Sequence, residues 1–254
     1  MEMIQRINLP CVDSTNDFMR DMLSGGDNLE GMTLVVAERQ TAGHGQQGNS
    51  WESEDGKNVT FSLLCHPEFV KPTEQFLLSQ CIALAVQRAV AEVLDECGVK
   101  EEVSVKWPND IYVGDRKISG TLIECDLMGR SISNCIIGTG INVNQERFVS
   151  DAPNPVSLVQ LCGKTVERES VLDAVIGHFC SLYELLREGK AESVRADYMS
   201  HLYWREGKHS FADVRGEFTA EIADIEPTGH LILRFENGNT VRYEFKEVKF
   251  LIGN

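Results

Sequence analysis

The alternation of apolar and polar positions divides the chain into a long mixed segment and a short tail of different texture. Residues 3–9 read as a strand. Asp13 and Ser14 are N-cap types ahead of a helical stretch that stops at Gly25-Gly26. Met32 to Glu38 is a strongly apolar strand, and residues 39–57 form a polar, glycine-rich loop. Asn58 to Cys65 returns as a strand with Val59, Phe61 and Leu63 on one face. Pro72-Thr73 opens the longest helix and Gly98 ends it. Its apolar stripe through Phe76, Leu77, Ala83, Val86, Val90, Val93 and Leu94 predicts that it lies on a sheet. Strands follow at about 103–107, 110–113, 116–124 and 132–138; the last is either an edge that pairs with a second subunit or a covered strand. A second helical stretch, about 167–204, carries Val171, Val175, Phe179, Leu182 and Leu186 at helical spacing.

After Trp204 the pattern shortens. Residues 208–254 hold short alternating runs separated by Arg215-Gly216, Pro227-Thr228-Gly229 and Asn237-Gly238. These are hairpin signals, and five strands in so short a span predict a small barrel. The expected architecture is α+β: one domain at 1–206 and a small all-β domain at 207–254.

Composition narrows the function classes. The chain has 254 residues, 42% hydrophobic and 25% charged, an ordinary globular balance that excludes disordered and fibrous classes. Twenty-four Lys+Arg against 39 Asp+Glu leave a net charge of −15, and no basic run exceeds Arg116-Lys117. Such a chain repels phosphate backbones and anionic lipid, so neither DNA nor a membrane surface is an expected partner. The N-terminus has no basic-then-apolar leader, and the longest apolar run, Cys81 to Val86, is far short of a membrane span. Eight cysteines without CxxC or zinc spacing read as reduced, mostly buried thiols, which places the chain in the cytoplasm. Histidines 66, 178, 201, 209 and 230 show no metal-ligand spacing.

Three stretches carry candidate chemistry. Gly43-His44-Gly45-Gln46-Gln47-Gly48 matches G-x-G-x-x-G, but no helical period follows it, so it is not a dinucleotide fingerprint. It reads instead as a backbone cradle for a ligand, with Trp51 as a lid. Lys106-Trp107-Pro108-Asn109-Asp110 joins two strands, and Gly114-Asp115 fits a two-residue hairpin turn. That turn predicts Tyr112 opposite Lys117 and Asp110 opposite Ser119. Asp110, Tyr112, Lys117, Ser119 and Thr121 then share one face, with Asp110 and Lys117 diagonal neighbours ~7–8 Å apart at the backbone. Gly138-Thr139-Gly140-Ile141-Asn142 brackets a threonine with glycines after an apolar strand, which again favours close backbone approach.

In this order and spacing, the motifs resemble those of the biotin–protein ligases across about residues 10–145. They are Ser14-Thr15-Asn16, then Glu38-x-Gln40-Thr41-Ala42-Gly43-x-Gly45 with Trp51, then Lys106-Trp107-Pro108-Asn109-Asp110, Arg116-Lys117-Ile118-Ser119-Gly120 and Gly138-x-Gly140-Ile141-Asn142. The tail around Gly216 and Gly229-x-Leu231 is similar to that family's SH3-like C-terminal domain. The resemblance implies a mixed β-sheet catalytic domain with helices, related to class II aminoacyl-tRNA synthetases. It also implies a two-step ligase. Biotin and ATP, with Mg2+ arriving on the nucleotide, give biotinyl-5′-AMP; a lysine of a biotin carboxyl carrier protein then displaces AMP.

The resemblance implies roles as well. Lys117, Asp110 and Lys106 are the catalytic candidates, with Lys117 holding the biotin carboxylate and α-phosphate and Asp110 positioning the incoming ammonium ahead of any role as base. Ser14, Thr15, Asn16, Gln40, Gly43, His44, Gly45, Gln46, Trp51, Ser62, Gly120, Gly138 and Gly140, together with Lys117, are expected around biotin; Lys106, Asn109 and Asn142 are expected around the adenylate. Spacing does not identify Mg2+ ligands or separate monomer from homodimer. The family's glycine loop commonly carries arginines, and here it reads Gly43-His44-Gly45-Gln46-Gln47-Gly48-Asn49, which predicts leakier retention of the adenylate. Members that repress transcription carry an N-terminal winged helix, and this chain starts its first strand almost at once, so DNA binding is not expected. A lipoate–protein ligase would show an Arg-Arg…Gly-Gly-Gly stretch that is missing here; a sensor that binds biotin without transferring it is the non-enzymatic alternative.

Overall fold

The computed structural model describes residues 4–26, 29, 31–45, 50–149 and 154–253. Seven strands form one sheet in the order β1-β2-β3-β7-β6-β5-β4. They are β1 (Gln5–Leu9), β2 (Thr33–Ala37), β3 (Val59–Cys65), β4 (Val103–Lys106), β5 (Asp110–Val113), β6 (Arg116–Met128) and β7 (Ser131–Ile141). β1 and β2 run parallel and every other pair is antiparallel, so the sheet is mixed. β7 lies between β3 and β6, which settles the 132–138 strand as central rather than an edge.

Period-two alternation decides what each face buries. Val59, Phe61, Leu63 and Cys65 of β3, with Ile137 and Ile141 of β7, join the main core. Helices α2 (Phe76–Glu96) and α4 (Arg168–Arg187) cover this face, packed on each other and joined by α3 (Leu158–Cys162) and α5 (Ala191–Ser200). A fully buried Leu, Val or Phe contributes about 1.5–3 kcal/mol, so α2 with Leu78, Ile82, Leu84 and Val86 all inaccessible is a principal support of the sheet. By length and hydropathy Pro72–Glu96 could cross a membrane, but 72% of its apolar window is buried in this core. The opposite face carries α1 (Thr15–Gly25), which packs Met19 over Val35, Leu64 and Ile136. At β5 the same face is covered by Tyr203, packed against Tyr112, and the central strands between them are more open.

Local signals account for the ends of α1. Ser14 is extended and its Oγ accepts from the Asp17 N–H at 3.4 Å, while Gly26 closes the helix at φ +81°, a conformation that favours glycine. At α2 the expectation shifts: Pro72–Glu74 forms a 3-10 turn, and the α-helix begins at Phe76. The single helical stretch expected at 167–204 is two helices, broken at Gly189 with φ +75°. The free edge of β4 is covered by the chain after α5, where Val105 N–H donates to the His201 carbonyl at 2.7 Å and Tyr203 N–H to the Val105 carbonyl at 2.9 Å.

The tail forms a second, antiparallel sheet in the order β11-β10-β9-β8-β12, from β8 (His209–Asp213), β9 (Gly216–Ile225), β10 (Leu231–Phe235), β11 (Thr240–Tyr243) and β12 (Lys249–Phe250). Its Phe211, Ile222, Leu231 and Leu233 join the same core as α2. Two tryptophans seat it: Trp204 stacks on His209 at 4.5 Å, and Trp107 Nε1 donates to the Gly229 carbonyl at 2.8 Å.

The β5–β6 hairpin departs from simple alternation. Gly114-Asp115 makes the expected two-residue turn, pairing Val113 with Arg116 and Tyr112 with Lys117. A bulge then intervenes, and Ser119 pairs with Ile111 rather than with Asp110. Ile118 is the extra residue, and it is buried in the core. Ser119 therefore lies on the core face and donates to the Gly140 carbonyl at 2.7 Å, and Thr121 contacts Thr139 at 3.3 Å. The expected five-residue face keeps Asp110, Tyr112 and Lys117 and loses Ser119 and Thr121.

Candidate active site

The open part of the sheet is roofed by the loop between β2 and β3, leaving a cavity of about 490 Å³. Its floor comes from glycines. Across the central strands Ser62 pairs with Gly138 and Thr60 with Gly140, while Gly120 pairs with Gly140 and Leu122 with Gly138. A Cβ on Gly138 would sit 2.1 Å from Asn16 Oδ1, and one on Gly140 would sit 2.2 Å from the Trp51 ring. These positions admit no side chain because others already occupy the space above them.

One end of the cavity is neutral. The N-terminus of α1 places Ser14, Thr15 and Asn16 over β3, all three buried. Ser62 Oγ contacts Thr15 Oγ1 at 2.7 Å and donates to Asn16 Oδ1 at 2.6 Å; Asn16 Nδ2 donates to Glu124 Oε2 at 2.9 Å. Gln40 Oε1 accepts from the Thr15 N–H at 2.8 Å and lies 3.0 Å from Thr15 Oγ1.

The other end is charged. The hairpin turn brings Lys117 Nζ to 2.7 Å from Asp110 Oδ1, with both side chains about a quarter exposed at 23% and 25%. Lys117 is fixed by its backbone, which donates to the Asn154 carbonyl at 2.8 Å and accepts from the Val156 N–H at 2.9 Å. Asn109 Nδ2 donates to the Thr121 carbonyl at 3.2 Å, and Asn142 Nδ2 to the Val156 carbonyl at 3.1 Å. Asn142 Oδ1 and Trp51 Nε1, buried atoms of two residues that line this cavity, have no hydrogen-bond partner among the described residues.

The roof brings His44, Gly45 and Trp51 to the cavity, with Trp51 N–H donating to the Gly43 carbonyl at 2.9 Å. His44 Nε2 lies 3.0 Å from Asp17 Oδ2, on the exposed outer side. Gly43 supports rather than lines: its Cβ would meet Gln40 Nε2 at 2.9 Å and the Trp51 carbonyl at 3.0 Å. Ser62 likewise acts from beneath, through Thr15 and Asn16. Gln46 lies outside the described residues, as do 47–49.

Lys106 stands apart from the expectation. It pairs with Asp110 across β4–β5, yet its ammonium lies over the Phe250 and Tyr112 rings, 4.7 and 5.5 Å from their centroids, and not in the cavity lining. Burial pulls its pKa below the ordinary lysine value, with Asp110 opposing and Lys117 reinforcing the shift. Burial pushes the Tyr112 hydroxyl up, and Asp110 adds to that.

The structure adds lining residues that the motifs passed over. Thr60 was within reach of the sequence, since it lies two residues before Ser62 on the same strand face. Phe148, Pro155 and Phe245 come from distant segments and carry no local signal.

The biotin/lipoate A/B protein ligase family model matches residues 9–142, more than half of the chain and the stretch that supplies most of this cavity. The bifunctional ligase/repressor BirA of Bacillus subtilis is 30% identical over 224 residues, covering 81% of this chain and 62% of its own length. The biotin–[acetyl-CoA-carboxylase] ligase of Paracoccus denitrificans is 29% identical over 171 residues, covering 66% of this chain and 68% of its own. Among solved structures, the biotin protein ligase of Aquifex aeolicus in complex with biotin and ATP superposes with a TM-score of 0.77 at 25% identity, covering 96% of this chain and 97% of that one. The chain thus spans less than two thirds of the BirA relative, though nearly all of the Aquifex fold. With the family's motifs converging on one cavity and its model spanning the sheet that builds it, this chain belongs to the biotin/lipoate A/B protein ligase family.

Proposed function

We propose that this chain is an ATP-dependent biotin–protein ligase that forms biotinyl-5′-AMP and then transfers biotin to a lysine of a biotin carboxyl carrier domain. The observation that carries the reading is the arrangement of the cavity, with a neutral hydrogen-bonding end at Thr15, Asn16 and Gln40 and a cationic end at Lys117. A bicyclic cyclic urea with a carboxylate tail suits that polarity. So do relatives whose names specify biotin, and a related structure holding biotin and ATP.

In the first step a biotin carboxylate oxygen bonds to the α-phosphorus, and the bond to pyrophosphate breaks. Two anions must approach, so fixed positive charge matters more than a base. Lys117 serves that need, and an electrostatic stabiliser of this type is worth about 3–4 kcal/mol. Asn109 and Asn142, both in the cavity lining, are assigned to the nucleotide. In the second step the acceptor amine attacks the acyl carbon and AMP leaves. A lysine of pKa ~10.4 is neutral about one part in a thousand near pH 7.4, a cost of roughly 4 kcal/mol. Asp110 already pairs with Lys117 at 2.7 Å, which supports its role in positioning the incoming ammonium ahead of that of a strong base.

Mg2+ would arrive on the triphosphate, where it neutralises phosphate charge. Magnesium sites of this kind use one or two carboxylates, and the described residues hold no group of three or more His, Cys, Asp or Glu around one point. We further assign residues 1–206 to a catalytic domain of the class II synthetase-like type and 207–254 to an SH3-like domain, with the second sheet as support. A cytoplasmic location, with no DNA or membrane partner, fits the net charge of −15 and the eight free cysteines.

The test is ATP- and biotin-dependent labelling of a purified carrier domain, with Lys117→Ala alongside. Labelling confined to the carrier and lost in the variant is the expected result. Biotin binding without transfer would replace the ligase with a sensor.

A further inference from the structure

Three cysteines form a row across the first sheet. Cys135 on β7 pairs with Cys65 on β3 and with Cys125 on β6, each directly opposite in antiparallel register. The row packs into the main core, on the α2 side of the sheet. Cys125 Sγ lies 3.3 Å from Cys135 Sγ, and Cys65 Sγ donates to the Cys135 carbonyl at 3.8 Å. Directly opposite residues of an antiparallel pair stand ~4.5–5.5 Å apart at Cα, inside the ~4.4–6.8 Å that a disulfide spans. Access separates the three thiols. Cys65 and Cys135 are inaccessible, whereas Cys125 is part-exposed and lines a crevice of about 470 Å³ where the first sheet meets the tail. Phe76 from the start of α2, Trp107 and Pro108 from the β4–β5 turn, and Gly229 and Phe245 from the tail close around it. The hydrogen bond with Cys135 holds the Cys125 thiol below its ordinary value, against burial and the nearby Asp126. The same bond, a second to Cys65, and burial push the Cys135 thiol well above it. The accessible sulfur is therefore the better nucleophile, with the buried one beside it.

We infer that Cys125 and Cys135 form a reversible oxidation site: a peroxide entering the crevice oxidises Cys125, and Cys135 then closes a disulfide between β6 and β7. In the first step the Cys125 thiolate attacks one peroxide oxygen. The S–O bond forms and the O–O bond breaks; the departing hydroxide takes up the proton that the thiol had released and leaves as water. The sulfur is oxidised to a sulfenic acid and the peroxide is reduced. In the second step Cys135 Sγ attacks the sulfenic sulfur. The S–S bond forms, the S–O bond breaks, and hydroxide leaves with the Cys135 proton as a second water. A dithiol reductant reverses the bond by exchange. Cys65, inaccessible and turned to the Cys135 carbonyl, stays reduced. Neither reacting thiol belongs to the cavity assigned to the ligase reaction, so the site stands whether or not that assignment does.

The test treats the folded protein with hydrogen peroxide, unfolds it, blocks the remaining thiols with iodoacetamide and maps the tryptic peptides by mass. Arg130 lies between the two cysteines, so trypsin separates them and only a disulfide keeps their peptides together. The expected product is a Cys125–Cys135 linked pair that dithiothreitol splits, with Cys65 recovered in its alkylated form. In Cys135→Ala the reaction should stop at the Cys125 sulfenic acid, trapped with dimedone. In Cys125→Ser the Cys135 thiol should stay reduced, and Cys65→Ala should leave the link intact. Free thiols at both positions while the exposed Cys11 is oxidised overturn the inference, as does Cys125 carried on to sulfinic acid with no link. A Cys65–Cys135 link in place of the expected one overturns it as well. The wild-type map alone separates these outcomes where a variant fails to fold.

Discussion

At one end of the cavity Thr15, Asn16 and Ser62 are neutral, buried and joined by short hydrogen bonds; at the other Lys117 and Asp110 are charged and about a quarter exposed, at 23% and 25%. Both ends stand on the same sheet. The neutral end needs clearance, which Gly138 supplies, and an acceptor for the Asn16 amide, which Glu124 supplies. The charged end needs an ion pair close enough to water that its charges survive, and a two-residue turn that sets Lys117 beside Tyr112 on the face of Asp110. Under the proposed function, the difference gives recognition and chemistry separate materials: buried dipoles at the end assigned to the biotin ring, part-exposed charge at the end assigned to bond exchange.

The sharpest way to break this division is Lys117→Ala. Adenylate formation, followed as pyrophosphate release, should fall about 10²–10³-fold, while biotin affinity changes far less. An equal loss in both would show that the two ends act as one. Gly138→Ala probes the neutral end in return. Its new Cβ would sit 2.1 Å from Asn16 Oδ1, and overpacking of that kind costs about 1–3 kcal/mol, so biotin KM should rise about 10- to 100-fold. Gly120→Ala meets Lys117 Nζ and Cε at 3.2 and 3.3 Å and one Trp51 ring atom at 3.2 Å, all side-chain atoms at longer range, and should be milder in the same assay.

Smaller effects sharpen the outline. His44 lies beside Asp17 in a loop where the family commonly carries arginine, and both side chains are half exposed. His44→Arg should slow release of the adenylate in a trapping experiment by about two- to fivefold, the scale of an exposed charge pair. Lys106→Met should affect turnover least, because the Lys106 ammonium lies over Phe250 and Tyr112 rather than in the cavity. It should matter instead for stability. Burial lowers the folded-state pKa of Lys106, so keeping it charged costs stability below that pKa, and the cost fades as pH rises toward the unfolded value of 10.5. Thermal melts should therefore place Lys106→Met above the wild type at neutral pH, with the gap closing in alkali.

Legibility in the sequence followed the range of each interaction. The α1 boundaries were readable because Ser14 and Gly26 act within one turn of the helix. The strands of the first sheet were readable from runs such as Val59 to Cys65, and the 113–116 turn from Gly114-Asp115. Most residues expected around biotin do meet at the cavity, since their motifs sit at strand ends and loop tips that one sheet gathers together. The face shared by Ser119 and Thr121 was misread, because alternation carries no record of a bulge; one extra residue, Ile118, reverses every side chain after it. The place of the Lys106 side chain, outside the cavity lining, was hidden for a related reason. Its place in a motif says nothing of the Phe250 ring, which arrives from the end of the chain.

By itself, then, the sequence determined the order of elements, the caps and turns, the glycines that clear the floor and the motifs that identify the family. These depend on backbone preference and on periodicity within a few residues. Only the tertiary structure decided which face of β6 meets the cavity, that β7 is central, that Lys106 looks away, and that Glu124 reaches Asn16 from 108 positions along the chain. Such contacts arise when distant segments pack into one core, and no local pattern records where a side chain will find its partner.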